Sequence, residues 1–321
     1  MIETLDALRE AVLQEALGGL TASPKTLSPW LFYDECGSRL FEQITALPEY
    51  YLTRVERSIL AAHADDVFLD AGAEVTIAEL GAGTAAKTGL LLEAATRFQD
   101  EVLYQPIDVS PTALEEAATT ITANIPGVFV RPRVANYITE HFALERPEQC
   151  RILALYIGSS IGNFTPGEAT AILRNLRARL QPGDSLLLGT DMAPGKHKPI
   201  ATLLAAYDDA AGVTAAFNKN ILVRLNRELD ADFDLDAFAH RARWNAVESR
   251  IEMHLESLVT QTVLLAGKRL HFAQGETIHT ENSYKFTDAA VAKLLASADF
   301  ELAHTWKDAN QYFSVTVARA V

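Results

Sequence analysis

Apolar positions along the first stretch recur in a helical rhythm: Leu5, Leu8, Val12, Leu13, Ala16 and Leu17 fall three or four residues apart, and Gly18-Gly19 is expected to close this helix. An aromatic-rich segment follows from Trp30 to Ile44 and leads into a helix that ends at Leu47-Pro48, since proline cannot continue it. From Thr53 the pattern alternates. A helix from Arg54 to about Ala71 precedes a strand at 75–80. Further strands are expected at 102–108, near 128–130, at 152–157 and at 185–191, with a helix from Pro166 to about Leu180 before the last. Near-continuous apolar strands separated by helices predict a parallel sheet covered on both faces. After Asp191 the rhythm breaks. Residues 193–199 read as a linker, helices are expected to about Phe217 and near Leu235–His240, and β-rich stretches follow at 251–265 and 270–272. A helix over 287–297, capped by Thr287 or Asp288, then leads back to strands at 300–305 and 313–317. The parallel-sheet domain is therefore expected to be split by an insertion.

Charge narrows the partners. Lys and Arg total 28 against 42 Asp and Glu, a net charge of -14 over 321 residues. Nucleic acid and an anionic membrane both call for a basic face, so neither is expected as a partner. No apolar run reaches the ~20 residues of a membrane span, and the acidic N-terminus lacks the apolar core of a secretory signal. A cytoplasmic protein is expected. Cys36 and Cys150 have no metal-type spacing and read as two buried free thiols.

The candidate chemistry centres on Val75-Thr76-Ile77-Ala78-Glu79-Leu80-Gly81-Ala82-Gly83-Thr84. A β-branched run ends in an acid, and two glycines then allow φ/ψ values and close ligand approach that a Cβ would forbid. At the carboxyl edge of a strand in an open parallel sheet, such a turn binds a nucleoside cofactor. Two cofactors fit. Gly81-Ala82-Gly83-Thr84-Ala85-Ala86 satisfies the dinucleotide fingerprint, with Asp108 placed for an NAD ribose. Glu79 before the first glycine, and the strand pair at the chain's end, suit S-adenosylmethionine (SAM) better. In both cases a carboxylate suits a ribose diol, because two donors meet two acceptor oxygens.

Other segments carry a longer resemblance. They are Phe32-Tyr33-Asp34 with Gly37-Ser38 and Leu40-Phe41; Leu47-Pro48-Glu49-Tyr50-Tyr51 with Thr53-Arg54; the 79–84 turn with Lys87-Thr88; and Gly158-Ser159-Ser160-Ile161-Gly162-Asn163. To these are added the 207–218 run from Tyr207 to Asn218, Asn226-Arg227-Glu228-Leu229, Phe233-Asp234, Arg250-Ile251-Glu252-Met253, Thr280-Glu281, Ser283 and Lys285-Phe286. In this order they resemble the SAM-dependent L-histidine Nα-methyltransferases of ergothioneine biosynthesis, which form hercynine.

The resemblance implies an α/β fold: a Rossmann-like class I methyltransferase domain (55–195 and 285–321) and a second, α+β substrate-binding domain (1–54 and 196–284). It implies SAM as cofactor and S-adenosylhomocysteine as product. Glu79, Gly81, Gly83, Thr84, Lys87, Asp108, Asn136 and Tyr137 fall in the cofactor site. Relatives typically carry Gly-Asp-Phe where this chain has Ala135-Asn136-Tyr137, and an amide at 136 can still donate and accept toward adenine. Asn163 and Tyr207 match residues holding the substrate carboxylate, Glu281 and Ser283 the imidazole pair, and Tyr50 and Met253 the ring pocket. Tyr33, Phe41 and Thr214 lie around the amine. The implied partners are L-histidine and its mono- and dimethylated forms, with the chain working as a monomer. A related substrate class is another aromatic amino acid, such as a tryptophan derivative.

Three other patterns carry no function. Asp230-Ala231-Asp232-Phe233-Asp234 begins like a calcium loop, but its sixth position is Leu235 and its twelfth Arg241. The histidines show no paired ligand spacing, and no metal is expected. Gly158-Ser159-Ser160-Ile161-Gly162 has the form of a nucleophile elbow, yet only His304 could serve it.

Overall fold

The structure is a computed structural model that describes residues 2–71, 74–83, 85, 87–138 and 140–321, with backbone alone over 2–7. The chain divides into two compact units: Met1–Tyr51 with Pro194–Tyr284, and Leu52–Ala193 with Lys285–Val321.

The second unit is built on a sheet of eight strands among the described residues. Its order is Phe300–Lys307, Phe313–Ala320, Ser185–Asp191, Arg151–Tyr156, Val75–Leu80, Val102–Asp108, Val128–Val130, with Arg133–Val134 also pairing with 102–108. The strands from 185–191 through 128–130 run parallel, and the two C-terminal strands are antiparallel. Strand Val75–Leu80 is buried along its whole length, as its apolar run requires. The chain order reverses on either side of it, so its carboxyl end faces the crevice where such sheets take ligands. Helices Tyr51–Ala71, Gly89–Ala95, Pro111–Asn124, Pro166–Arg177 and Asp288–Ala296 accompany the sheet. Their starts are chemically marked. Thr165 and Glu168 form a reciprocal capping box, and Thr287 caps the last helix through the amide of Ala290.

The first unit has a four-stranded sheet ordered Lys25–Thr26, Thr277–Tyr284, Arg250–Ser257, Phe238–Asn245, and a separate hairpin of Gln261–Leu265 with Lys268–Phe272. Helices Ile2–Thr21, Glu35–Ala46, Ile200–Tyr207 and Val213–Leu229 belong to it.

Four expectations are corrected. The first helix continues through Gly18-Gly19 to Thr21. A Cβ at Gly19 would lie 2.1 Å from the Thr26 carbonyl oxygen, so this glycine serves close packing and not termination. The segment 235–240 is a single 3-10 turn, Leu235–Ala237, followed by a strand, because Phe238 and His240 point inward at period two. Residues 193–199 are not an open linker: Gly195 and Lys198 pair through their backbones, and the buried Lys198 ammonium lies 4.7 Å from the Tyr51 ring centroid. Cys36 and Cys150 are free but only half-buried. Among the described residues no helix is long and apolar enough to cross a membrane, and no group of three or more His, Cys, Asp or Glu is arranged to hold a metal ion.

Candidate active site

In the second unit the glycine turn has the geometry its residues require. Gly81 and Gly83 adopt φ of +65° and +53°, in the left-handed region. The amides of Gly81 and Ala82 donate to the carbonyl of Ile107, which ties the turn to the neighbouring strand. Asp108 completes the tie: its Oδ2 accepts from the Gly83 amide at 3.0 Å and its Oδ1 from the Ser110 amide at 2.9 Å. A Cβ on Gly81 would stand 3.2 Å from the Tyr137 hydroxyl, whereas one on Gly83 would meet nothing within 4 Å. The turn thus presents bare backbone beside an acid, a cradle suited to a ribose and the chain attached to it. Tyr137 packs edge-on against Tyr156, with centroids 5.7 Å apart. Asn136 folds back on itself, its Oδ1 accepting from the Ile138 amide at 3.0 Å, which leaves its NH2 group as the donor. Thr84 lies outside the described residues.

Glu79 sits deeper than the rest. It is 3% exposed, and its Oε2 accepts hydrogen bonds from the hydroxyls of Thr88, at 2.7 Å, and Tyr104. Burial pushes its pKa from the ordinary 4.5 up to about 7, against the pull of those two hydroxyls and of the Lys87 charge. Between these values the folded chain keeps a proton that the unfolded chain has lost, so this group's contribution to stability falls as pH rises through that window. Its full span corresponds to roughly 3 kcal/mol. Glu79→Gln is expected to flatten this part of the stability profile, read by denaturant titration at pH 5 and pH 8. Parallel profiles for the two proteins would contradict it.

Lys87 is held by Glu56, a residue outside the segments that carry the family resemblance. Its Nζ donates to Glu56 Oε2 at 2.7 Å, and Glu56 Oε1 accepts from the Gly158 amide at 2.6 Å. Gly158 and Ser159 take left-handed conformations, and the 3-10 turn Ser160–Asn163 follows, with Asn163 half-buried at its end. The hydroxyl of Ser160 is 3.4 Å from the Ile157 carbonyl, and His304 packs on Trp306, so the elbow pattern is absorbed by the fold.

In the first unit, aromatic side chains form a continuous cluster. Tyr33 meets Phe41 edge-on at 5.9 Å, Phe41 meets Tyr50 at 6.3 Å, and Tyr50 meets Tyr207 at 6.2 Å. Phe217, not singled out from the sequence, touches both Tyr33 and Phe41 and stacks on Phe32. Tyr33 is 46% exposed, whereas Tyr50 and Tyr207 are buried. Thr214 lies one turn before Phe217 on the same helix. The carboxylate of Asp209 accepts from the amides of Val213 and Thr214, at 3.0 and 2.7 Å, and so fixes the start of that helix.

Tyr207 and Ser283 join through their hydroxyls at 2.7 Å. Glu281 and Ser283, two residues apart, share a face of the sheet, and a bulge just before them sets which face it is. Ile278 pairs with Leu255 and His279 with His254, but Glu281 pairs with Met253 and Ser283 with Ile251, so one residue is inserted between 279 and 281. Leu255, Met253 and Ile251 alternate onto one buried face. Strict alternation from Ile278 would have sent Glu281 to the other side; the extra residue brings it over beside Met253. Thr280 anchors the bulge, donating to Asn218 Oδ1 at 2.7 Å. The His279 ring, stacked on His254 at 4.8 Å, bonds the Glu281 carbonyl at 3.0 Å.

Each unit therefore assembles its own set. Gly81, Gly83, Asp108 and Tyr137 come together in one; Tyr33, Phe41, Tyr50, Tyr207 and Ser283 form one chain of contacts in the other, and Met253 and Glu281 are cross-strand partners there.

Comparison with known proteins places the chain among relatives of stated activity. The histidine N-alpha-methyltransferase of Mycolicibacterium smegmatis is 45% identical over 315 residues, covering 98% of this chain and 96% of that protein. The ergothioneine biosynthesis protein 1 of Schizosaccharomyces pombe is 30% identical over 89% of this chain and 38% of its own length. The 4-dimethylallyltryptophan N-methyltransferase of Claviceps purpurea is 29% identical over 57% of this chain and 56% of its own. A family model described as histidine-specific methyltransferase, SAM-dependent, matches residues 12–320. Of the two cofactors the glycine pattern admits, SAM is the one used, and the chain belongs to the SAM-dependent, histidine-specific methyltransferase family.

Proposed function

We propose that this chain transfers three methyl groups to the α-amino nitrogen of L-histidine, giving hercynine on the route to ergothioneine. The observation that carries the reading is the bulge at 279–281, which aligns a carboxylate and a hydroxyl, Glu281 and Ser283, on the face that also carries Met253. An imidazole offers one N–H donor and one bare nitrogen, and that pair of side chains answers both. Tyr50 and Met253 bound the ring. The Tyr207 hydroxyl, which exchanges its bond with Ser283 for one to the ligand so that each hydroxyl has its proton to donate, and the amide of Asn163 are assigned to the substrate carboxylate.

The second unit is assigned to the cofactor, and its residues fit SAM. Asp108 would hold the ribose hydroxyls, Gly81 and Gly83 would lie against the chain beyond it, and Lys87 would meet the carboxylate of the methionine portion. Asn136 and Tyr137 are assigned to the adenine end. Glu79 acts from below, holding Thr88 and so the turn itself. When bound, SAM supplies a methyl group activated by a positive sulfonium. What the protein must add is orientation, because displacement at that carbon needs the nitrogen lone pair in line.

Each of the three transfers needs a free lone pair, so a proton leaves the nitrogen before each one. The exposed Tyr33 hydroxyl is assigned to pass that proton to water. The ring faces of Tyr33, Phe41 and Phe217 accept the methylated ammonium formed by each transfer, which grows bulkier, through cation–π attraction. Thr214 lies near that wall, on the helix of Phe217. Tyr33→Phe is expected to slow all three steps by about a hundredfold, the low end of proton-transfer catalysis. Unchanged rates for the mono-, di- and trimethylated products would remove the hydroxyl from the mechanism.

The overall reading is tested by incubating the protein with SAM and L-histidine and reading product masses. Three successive methyl increments on histidine are expected. Methylation of tryptophan derivatives in preference to histidine would move the substrate assignment to the class of the Claviceps relative, and no product at all would overturn it.

A further inference from the structure

We infer that Glu56 is a positioning residue that aims the Lys87 ammonium at the carboxylate of SAM; this rests on the assignment of Lys87 to the cofactor. Glu56 has no exposed side-chain surface, and a carboxylate so buried persists only when its oxygens are matched. Both are. One takes the Lys87 ammonium at 2.7 Å and the other the Gly158 amide at 2.6 Å. The surroundings are cut to this pair. A Cβ on Gly189 would lie 2.2 Å from Glu56 Oε1, and one on Gly158 would lie 2.8 Å from Lys87 Nζ. Two glycines, one just past strand Arg151–Tyr156 and one within its neighbour Ser185–Asp191, thus leave room for one ion pair. An ammonium has three donors on a flexible stem, and a point charge of that kind is located only by its partners. Glu56 takes one donor direction and fixes the stem, while Lys87 keeps 26% of its side chain exposed for a ligand. Glu56 also holds the Gly158 amide, where the turn leading to Asn163 begins. A bare counter-ion would stabilise the fold without regard to cofactor; a positioning residue alters affinity for it.

The test uses Glu56→Gln, Lys87→Met and the double variant in the full chain, with S-adenosylhomocysteine affinity measured by isothermal titration and KM for SAM and for histidine measured separately. Glutamine can keep its one oxygen for the Gly158 amide only by turning its NH2 group toward the ammonium. Glu56→Gln is expected to weaken S-adenosylhomocysteine about tenfold or more, to raise KM for SAM more than it lowers kcat, and to move KM for histidine little. The double variant should bind no more weakly than Lys87→Met alone, because the two residues act as one unit. Wild-type affinity in Glu56→Gln beside weakened binding in Lys87→Met would overturn the inference and leave the cofactor assignment standing. Additive losses would overturn it as well. Wild-type affinity in both would remove Lys87 from the cofactor site and the inference with it. Should Glu56→Gln not fold, Gly189→Ala displaces the carboxylate sterically and is held to the same expected and overturning affinities.

Discussion

Glu281→Ala is expected to lower kcat/KM for L-histidine by about thirtyfold to a few thousandfold, the equivalent of the 2–5 kcal/mol lost when one member of a buried, charge-assisted hydrogen bond is truncated. The loss should appear mainly as a raised KM, since the imidazole is remote from the reacting nitrogen and is gripped before and during transfer alike. Ser283 cannot substitute, because its hydroxyl is assigned to the other ring nitrogen. Selectivity follows from the same carboxylate. Against a phenyl ring Glu281 would be left without its partner, and against an indole, which offers one N–H but no bare nitrogen, Ser283 would lose its own, at a cost of ~1–3 kcal/mol or more, so the unmodified protein should strongly prefer histidine to phenylalanine and to tryptophan. Removing the charge and shrinking the neighbour, in Glu281→Ala with Met253→Val, should narrow that preference. Equal rates on histidine and tryptophan in the unmodified protein, or an alanine variant within twofold of wild type on histidine, would break the link between this residue and the substrate ring.

The bulge that turns Glu281 inward shows what a single sequence withholds. Alternation along 277–284 can be read locally, but its phase depends on which residue of 250–257 each position faces, and that register is a non-local property. The parallel sheet was legible because strands such as Val75–Leu80 and Ser185–Asp191 carry mostly apolar runs, and both are buried along their whole length, as a doubly covered strand requires. Glu56 is legible too, from the phase of its helix. Leu52, Ile59, Leu60, Ala64 and Val67 mark the buried stripe of its helix, and Glu56 falls within that stripe one turn after Leu52. An acid at that phase needs a cation and a donor. Phe217 was hidden for the opposite reason: an aromatic on an apolar helix face reads as core filler, and only its contacts with Tyr33 and Phe41 connect it to the candidate site. The helix expected at 235–240 failed where tertiary packing overrode local preference. Phe238 is pulled inward against Phe233 and Phe272, which fixes a strand from that residue onward.

Lys285→Met is expected to destabilise the second unit by about 3–5 kcal/mol, the cost of stranding one charge of a buried pair. Lys285 Nζ lies 2.7 Å from Asp191 Oδ2, and neither side chain is exposed to solvent. Around them the Phe286 amide donates to the Asp191 carbonyl and the Ala193 amide to the Phe286 carbonyl, so the pair sits where two returning segments of the unit are stitched together. Truncating the lysine leaves Asp191 charged in a dry site, and its neighbours can open to admit water only by giving up those backbone bonds. Amide hydrogen exchange in strands Ser185–Asp191 and Phe313–Ala320 should therefore accelerate. The double variant Asp191→Leu with Lys285→Met should recover much of the loss, because removing both charges leaves nothing to desolvate. If exchange in Lys285→Met matched wild type, the pair would be no more than an accident of packing. If the double variant were worse than the single one, Asp191 would have to serve something besides its lysine.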